Sequence, residues 1–262
     1  MLPTILDAID CYRTDLLSEA PFWRGHLPFA GVIVAALRPR RIVELGVQHG
    51  DSLFTFAEAM RRYGAADGTV LGIDAWEGDA HVGVQQDWVH ARVASRAVQF
   101  PNVRLVRSRF EDALAEIPNE SIDLIHLDGG HAEQDVREDL AAALPKLAPK
   151  GVILMHDITA FCGGFGVFTV WQELAAAHPN MAFAHSAGLG LLCPKGVNTD
   201  VEPMLEDAVL MPRLFAALGH RVLLANSTPD QIARAEKIGR IPAPPGFTPS
   251  AALEKAMVSA RW

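Results

Sequence analysis

The stretch IDLIHLDGGHAEQDVREDLAAALPKLAPKGVILMHD, residues 122–157, decides how this chain folds. Two apolar runs, 122–128 and 151–157, flank an amphipathic segment at 132–147, and each run ends in Asp. Runs of this length suit strands buried on both faces, and a helix between two of them predicts a right-handed βαβ unit. Neighbouring strands lie about 4.8 Å apart. Asp128 and Asp157 should then meet at the carboxyl edge of the sheet, where open α/β folds bind ligands. Two carboxylates at that spacing repel, and an oxygen-seeking divalent cation, Mg2+ or Mn2+, relieves the repulsion. His131 follows Asp128 by three residues, and its imidazole, with an unperturbed pKa of about 6.5, is the best general base in reach. Glu44 is open as a third metal ligand or as a hydrogen-bonding residue of the loop that follows it. His126 and His156, inside the runs, read as satisfied core histidines, and an Asp at a strand end is often only a cap.

The same alternation extends outward. Strands are expected at 41–46, 69–76 and 103–109, with helices at 52–62, 85–99 and 111–116. After 157 the pattern changes to a helix at 167–178 and a β-hairpin at 181–196, turning around Gly188–Gly190. The fold class is therefore α/β and Rossmann-like, a mostly parallel seven-stranded sheet closed by a C-terminal antiparallel hairpin. N-terminal helices at 4–17 and 28–38 precede a domain spanning 39–196. A helical extension, 197–262, carries segments at 201–219, 229–238 and 250–261 and a Pro-rich linker at 241–249.

The first strand runs into VELGVQHGDS, residues 43–52. Gly46 and Gly50 allow a sharp turn and close ligand approach, and the next helix aims its N-terminus at that ligand. Gln48 stands where a dinucleotide fingerprint has glycine, so a nucleoside without a pyrophosphate suits this loop better than NAD. Glu44, Gly46, Gly50 and Ser52 form the first part of the expected cofactor site. Asp74, ending the second strand, suits ribose hydroxyls, with Ala75 beside it. Phe110 either packs on a base or joins the core, and Asp128 closes the site. The loop WEGDAHVG, 76–83, adds Trp76, Asp79 and His81 near the same rim, and Trp76 and Trp88 either stack on a substrate ring or anchor the loop.

Half of the 262 residues are apolar and the net charge is −8, which supports a large core and argues against nucleic acid as a partner. Cys11, Cys162 and Cys193 are too few and too scattered for a disulfide framework or a zinc site. No run is long and apolar enough to span a bilayer, and the N-terminus has no secretory pattern, so a cytoplasmic protein is expected. The tail leaves a homo-oligomer open.

Taken in order, VELGVQHGDS, GIDAWEGDAH, SIDLIHLDGGHAEQDVREDL, LPKLAPKGVILMHD, FGVFTVWQEL and AGLGLL resemble the class I S-adenosylmethionine-dependent methyltransferases of the methyltransferase domain 24 family. The likeness covers roughly residues 40–195. It extends to the group found with glycosyltransferases and to metal-dependent sugar O-methyltransferases. The resemblance implies S-adenosylmethionine as methyl donor and a hydroxyl on a sugar or glycosylated metabolite as acceptor. It also implies Asp128 and Asp157 as metal ligands and His131 as base. A metal-independent methyltransferase, a scaffold without catalysis and, more distantly, a dehydrogenase are the alternatives.

Overall fold

A computed structural model describes residues 7–79, 83–84 and 86–259. Seven strands form one sheet: β1 (Arg41–Leu45), β2 (Thr69–Asp74), β3 (Val103–Arg107), β4 (Ile122–Leu127), β5 (Leu147–His156), β6 (Asn180–Phe183) and β7 (Leu189–Leu192). Their order is β3-β2-β1-β4-β5-β7-β6. The first five are parallel, while β7 runs antiparallel to both β5 and β6. This is the sheet expected from the apolar runs.

The strands are buried on both faces, and the alternation of side chains sorts them into two cores. Ile42, Leu124, Val152 and Leu154 point to one side, and Val43, Leu45, Ile125, Leu127, Ile153 and Met155 to the other. The first core is covered by α1 (Leu27–Leu37) and α2 (Asp51–Tyr63). The second is covered by α4 (Phe110–Ala115), α5 (Glu133–Ala143) and α6 (Val167–Ala177), while α3 (Asp87–Ala97) packs beside β3 and gives Val89 and Val93 to the first core. The connection through α5 ends in a 3-10 turn at Leu144–Lys146, where Pro145 cannot continue the helix.

Two expectations fail. The helix expected over 4–17 does not pass Ala8 among the described residues, and only a 3-10 turn at Thr14–Leu16 follows. The chain instead folds back onto α1, where a Cβ on Gly31 would lie 1.9 Å from the Ala8 carbonyl oxygen. Close packing overrides the helical periodicity there. The segment expected at 201–219 is two helices, α7 (Glu202–Glu206) and α8 (Leu210–Asn226). Asp207 breaks them apart, and its Oδ1 accepts from the Leu210 N–H at 2.8 Å to start the second. Helices α9 (Pro229–Gly239) and α10 (Ala251–Ser259) complete the extension.

Arg24, 2% exposed, ties the N-terminal segment to the C-terminal extension. Its Nη1 donates to the Asn226 carbonyl at 2.6 Å, Ser227 Oγ at 2.6 Å and Gln231 Oε1 at 3.2 Å. Its Nη2 donates to the Ser18 carbonyl. Asp51, at the start of α2, takes the Ser18 N–H at 2.8 Å and lies 3.9 Å from Arg24 Nε.

At the antiparallel edge, the buried Trp171 of α6 lies on Gly190 of β7, where a Cβ would sit 2.3 Å from the indole. Gly190→Ala should therefore cost roughly 1–3 kcal/mol through overpacking. A lowered urea midpoint with unchanged slope is the expected readout.

Candidate active site

The sheet order reverses between β1 and β4, the switch point at whose carboxyl edge open α/β sheets bind ligands. A cavity of about 900 Å³ lies there. Gly46, Gly50, Ser52, Asp74, Ala75, Phe110, Asp128, His131 and Asp157 all line it.

Gly46 follows β1 with φ +90°, and a Cβ there would lie 1.9 Å from the Asp128 carbonyl oxygen. Only glycine lets the first loop pass so near the end of β4. Gln48 adopts φ +46°, so the position lacking the fingerprint glycine still makes the left-handed turn. The price of that turn is backbone strain, and Asp74 holds it in place. Asp74 Oδ2 accepts from the N–H groups of Val47 and Gln48 at 2.9 and 2.8 Å, and Oδ1 from Trp76 at 2.6 Å. The carboxylate expected to meet ribose is thus also the anchor of the glycine loop. Trp76 is an anchor rather than a platform: it is 1% exposed, and its Nε1 donates to the Gln48 carbonyl at 3.0 Å. Trp88 is 54% exposed, lies outside the cavity lining, and faces His49 with ring centroids 6.0 Å apart. Phe110 lies over Gly129, where a Cβ would be 2.4 Å from its ring. Asp79 reaches the two-residue ribbon Gly78–Asp79 with Gly83–Val84, and His81 lies outside the described residues.

Glu44 does not face the cavity. It is fully buried beneath the loop, where Ser52 Oγ donates to its Oε1 and His126 Nδ1 lies 3.0 Å away. His126 Nε2 accepts from Trp23 Nε1 at 3.1 Å, so the proton sits on Nδ1 and faces Glu44. Its neighbours are in the core, and burial raises its pKa, so Glu44 braces the loop instead of serving as a third metal ligand. His126 is the satisfied core histidine expected.

Asp128, His131 and Asp157 do come together. One donor atom from each lies within 4.8 Å of the others, and His131 Nε2 is 3.1 Å from Asp157 Oδ2. Asp157 takes φ +63°, a left-handed turn that Asp tolerates better than most residues. The donor set, two carboxylates and an imidazole at that spacing, fits a divalent cation.

His156 is more than a core histidine. Its Nδ1 lies 3.1 Å from Asp128 Oδ1 and 3.4 Å from Asp157 Oδ1, and its Nε2 lies 3.1 Å from the Ser186 carbonyl. All three partners are acceptors, a setting that favours the doubly protonated ring. Burial opposes that charge, but the Asp157 and Asp128 carboxylates outweigh it and hold the pKa well above the usual histidine value. Burial likewise opposes ionisation of Asp157, yet His156 beside it and the hydrogen bond from His131 keep its carboxyl below the usual range. The signal in the sequence was the His immediately before Asp157. Ala20, Phe22, Cys162, Phe165 and Ile238 also line the cavity and carried no comparable signal.

Residues 43–158 match a family described as a methyltransferase domain. Over 171 residues, 65% of this chain, the sequence is 42% identical to uncharacterized protein y4gI of Sinorhizobium fredii, and the matched stretch spans 19% of that relative. The structure of cofactor-bound Rv0187 from MTB is similar with a TM-score of 0.51 at 18% identity, over 74% of this chain and 90% of that one. A putative caffeoyl-CoA O-methyltransferase from Staphylococcus aureus also gives 0.51, at 13% identity, over 65% of this chain and 82% of that one. At these identities the two structures speak to the fold, the doubly wound sheet described above.

Behind the loop at Gly129 and Gly130, burial and the neighbouring Asp135, Glu111 and Glu138 push the Asp139 carboxyl up to about 7. A carboxyl with a raised folded pKa binds its proton more tightly in the folded state. Stability should therefore fall as pH rises from about 4 to 7. Asp139→Asn should flatten that slope and gain roughly 1 kcal/mol at pH 8, about 2–4 °C in Tm. Melting curves across that range check it.

Proposed function

We propose, from the match of residues 43–158 to a methyltransferase domain, that the protein transfers the methyl group of S-adenosylmethionine to a hydroxyl of a small-molecule acceptor. The acceptor is a sugar or a glycosylated metabolite. One observation carries the reading: the Asp128–His131–Asp157 cluster shares a single cavity with the glycine loop, Asp74 and Phe110. Donor and acceptor can therefore meet at the same edge of the sheet, and methyl transfer needs little beyond their in-line alignment.

Each residue has a part in this proposal. Gly46, Gly50 and Ser52 receive the amino-acid end of the donor, Asp74 and Ala75 the ribose, and Phe110 the base. His131 takes the acceptor's proton. With Nε2–H directed at Asp157, Nδ1 is the basic nitrogen, and the Asp157 carboxylate stabilises the imidazolium that forms. Asp128 and Asp157 would hold Mg2+ or Mn2+. When bound, the ion would acidify a coordinated hydroxyl, as it lowers the pKa of water by roughly 8–9 units. With His156 protonated, the carboxylate pair still keeps a net negative charge for such a cation. The same imidazolium favours a second reading, in which His156 neutralises the pair and no metal is needed. A cytoplasmic location belongs to the proposal; among the described residues no helix is long and apolar enough to cross a membrane.

Calorimetry should show S-adenosylhomocysteine binding where NAD does not, and His131→Ala should retain that binding. Turnover of the variant should fall by about 10²–10⁴-fold. Unchanged turnover would remove His131 as the base, and binding of NAD alone would point to a dehydrogenase.

EDTA should abolish turnover and added Mg2+ should restore it. Full activity in chelator would assign the carboxylate pair to His156 alone.

A further inference from the structure

The walls of the cavity differ in chemistry. The loops after β1 and β2 bring polar side chains, among them Gln48, His49, Asp74 and Glu77. The N-terminal segment, the loop between β5 and α6, and helix α9 bring Ala20, Phe22, Cys162, Phe165 and Ile238. Ser18 adds no open polar group to that second wall, because its hydroxyl is engaged with Ala20: Ala20 N–H donates to it at 3.0 Å, and it lies 3.3 Å from the Ala20 carbonyl. Apart from the Asp and His cluster, the second wall is apolar among the described residues.

This wall is also fixed in position. Gln231 Nε2 donates to Glu19 Oε2 at 3.0 Å, and Arg234 donates to the Glu19 carbonyl at 2.8 Å. Helix α9, which carries Ile238, is thereby tied to the segment that carries Phe22. Phe165 stands against His131 with ring centroids 4.4 Å apart, so the apolar wall begins at the proposed base. Phe22 and Ile238 lie outside the stretch that matches the methyltransferase domain.

Of the two acceptor classes, a bare sugar meets such a wall only with a C–H face of its ring, and any hydroxyl turned to it loses water without gaining a partner, whereas a glycosylated metabolite can bring an apolar aglycone. At about 900 Å³ the cavity is near the upper end of ligand sites, roughly 300–1,000 Å³, so it has room beyond the donor. We propose that the acceptor carries a ring-bearing apolar portion that packs on Phe22, Phe165 and Ile238 while its hydroxyl meets His131. Specificity is then set by segments outside the methyltransferase domain. This inference rests on the methyl-transfer reading above.

The test is calorimetry on the full chain loaded with S-adenosylhomocysteine, comparing 4-nitrophenyl β-glucoside with methyl β-glucoside. The aryl glycoside should bind at least about tenfold more tightly, the discrimination one apolar group provides in a fitted pocket. Ile238→Ser and Phe22→Ser should each remove most of that preference while S-adenosylhomocysteine still binds. Ile238→Phe, which keeps the wall apolar but fills space, should weaken the aryl glycoside alone. Equal affinities, no binding of either glycoside, a preference that survives both serine variants, or loss of S-adenosylhomocysteine binding in those variants would overturn the assignment. Failure of S-adenosylhomocysteine to bind the unaltered protein would instead strike the methyl-transfer reading.

Discussion

Strand pairing brings Asp128 and Asp157 to one sheet edge, and the His156 ring that lies against both offsets their repulsion. His156 binds both carboxylates through Nδ1 and is held from behind by the Ser186 carbonyl. That carbonyl also meets Nε2 of His26, whose ring lies 5.4 Å from that of His156. Burial pushes the pKa of His26 well below the usual histidine value and that of His185 to about 4, so these neighbours stay neutral. A second positive charge this deep would have no carboxylate to meet it. The network behind the site thus concentrates its charge at His156, the histidine that touches both acids.

Backbone strain gathers at the same edge. Gln48, Trp76 and Asp157 all take left-handed φ values, and none is glycine. Each is held by a specific interaction: the two loop N–H groups on Asp74, the indole on the Gln48 carbonyl, and the carboxylate between two histidines. Strain of this kind persists only where the surroundings over-determine it, and here those three interactions hold the loops that line the cavity.

The sheet was legible because buried parallel strands leave contiguous β-branched runs, and the hairpin because Gly188 and Gly190 interrupt one. Asp128, His131 and Asp157 were legible because strand ends fix where side chains meet. What escaped was set by tertiary contacts. The apolar spacing of 4–17 suits a helix, yet packing on Gly31 turns the chain away. His156 read as core because burial and site coincide there. Glu44 stayed ambiguous because a strand position does not say which partner its side chain finds. Phe22 and Ile238 reach the cavity from distant segments with no local pattern to announce them.

Arg24 bears on how the chain can be divided. Read linearly, Gly196 separates a compact α/β unit from a helical appendage. The guanidinium ignores that boundary, since it finds acceptors at Asn226, Ser227 and Gln231 as well as at Ser18. A chain cut at Gly196 would keep a buried cation and remove most of the groups that solvate it. The lost partners would leave Asp51, at the head of the helix behind the glycine loop, as its remaining counter-charge. Residues 226–231 of the appendage are therefore packed into the unit it follows, around the guanidinium they solvate.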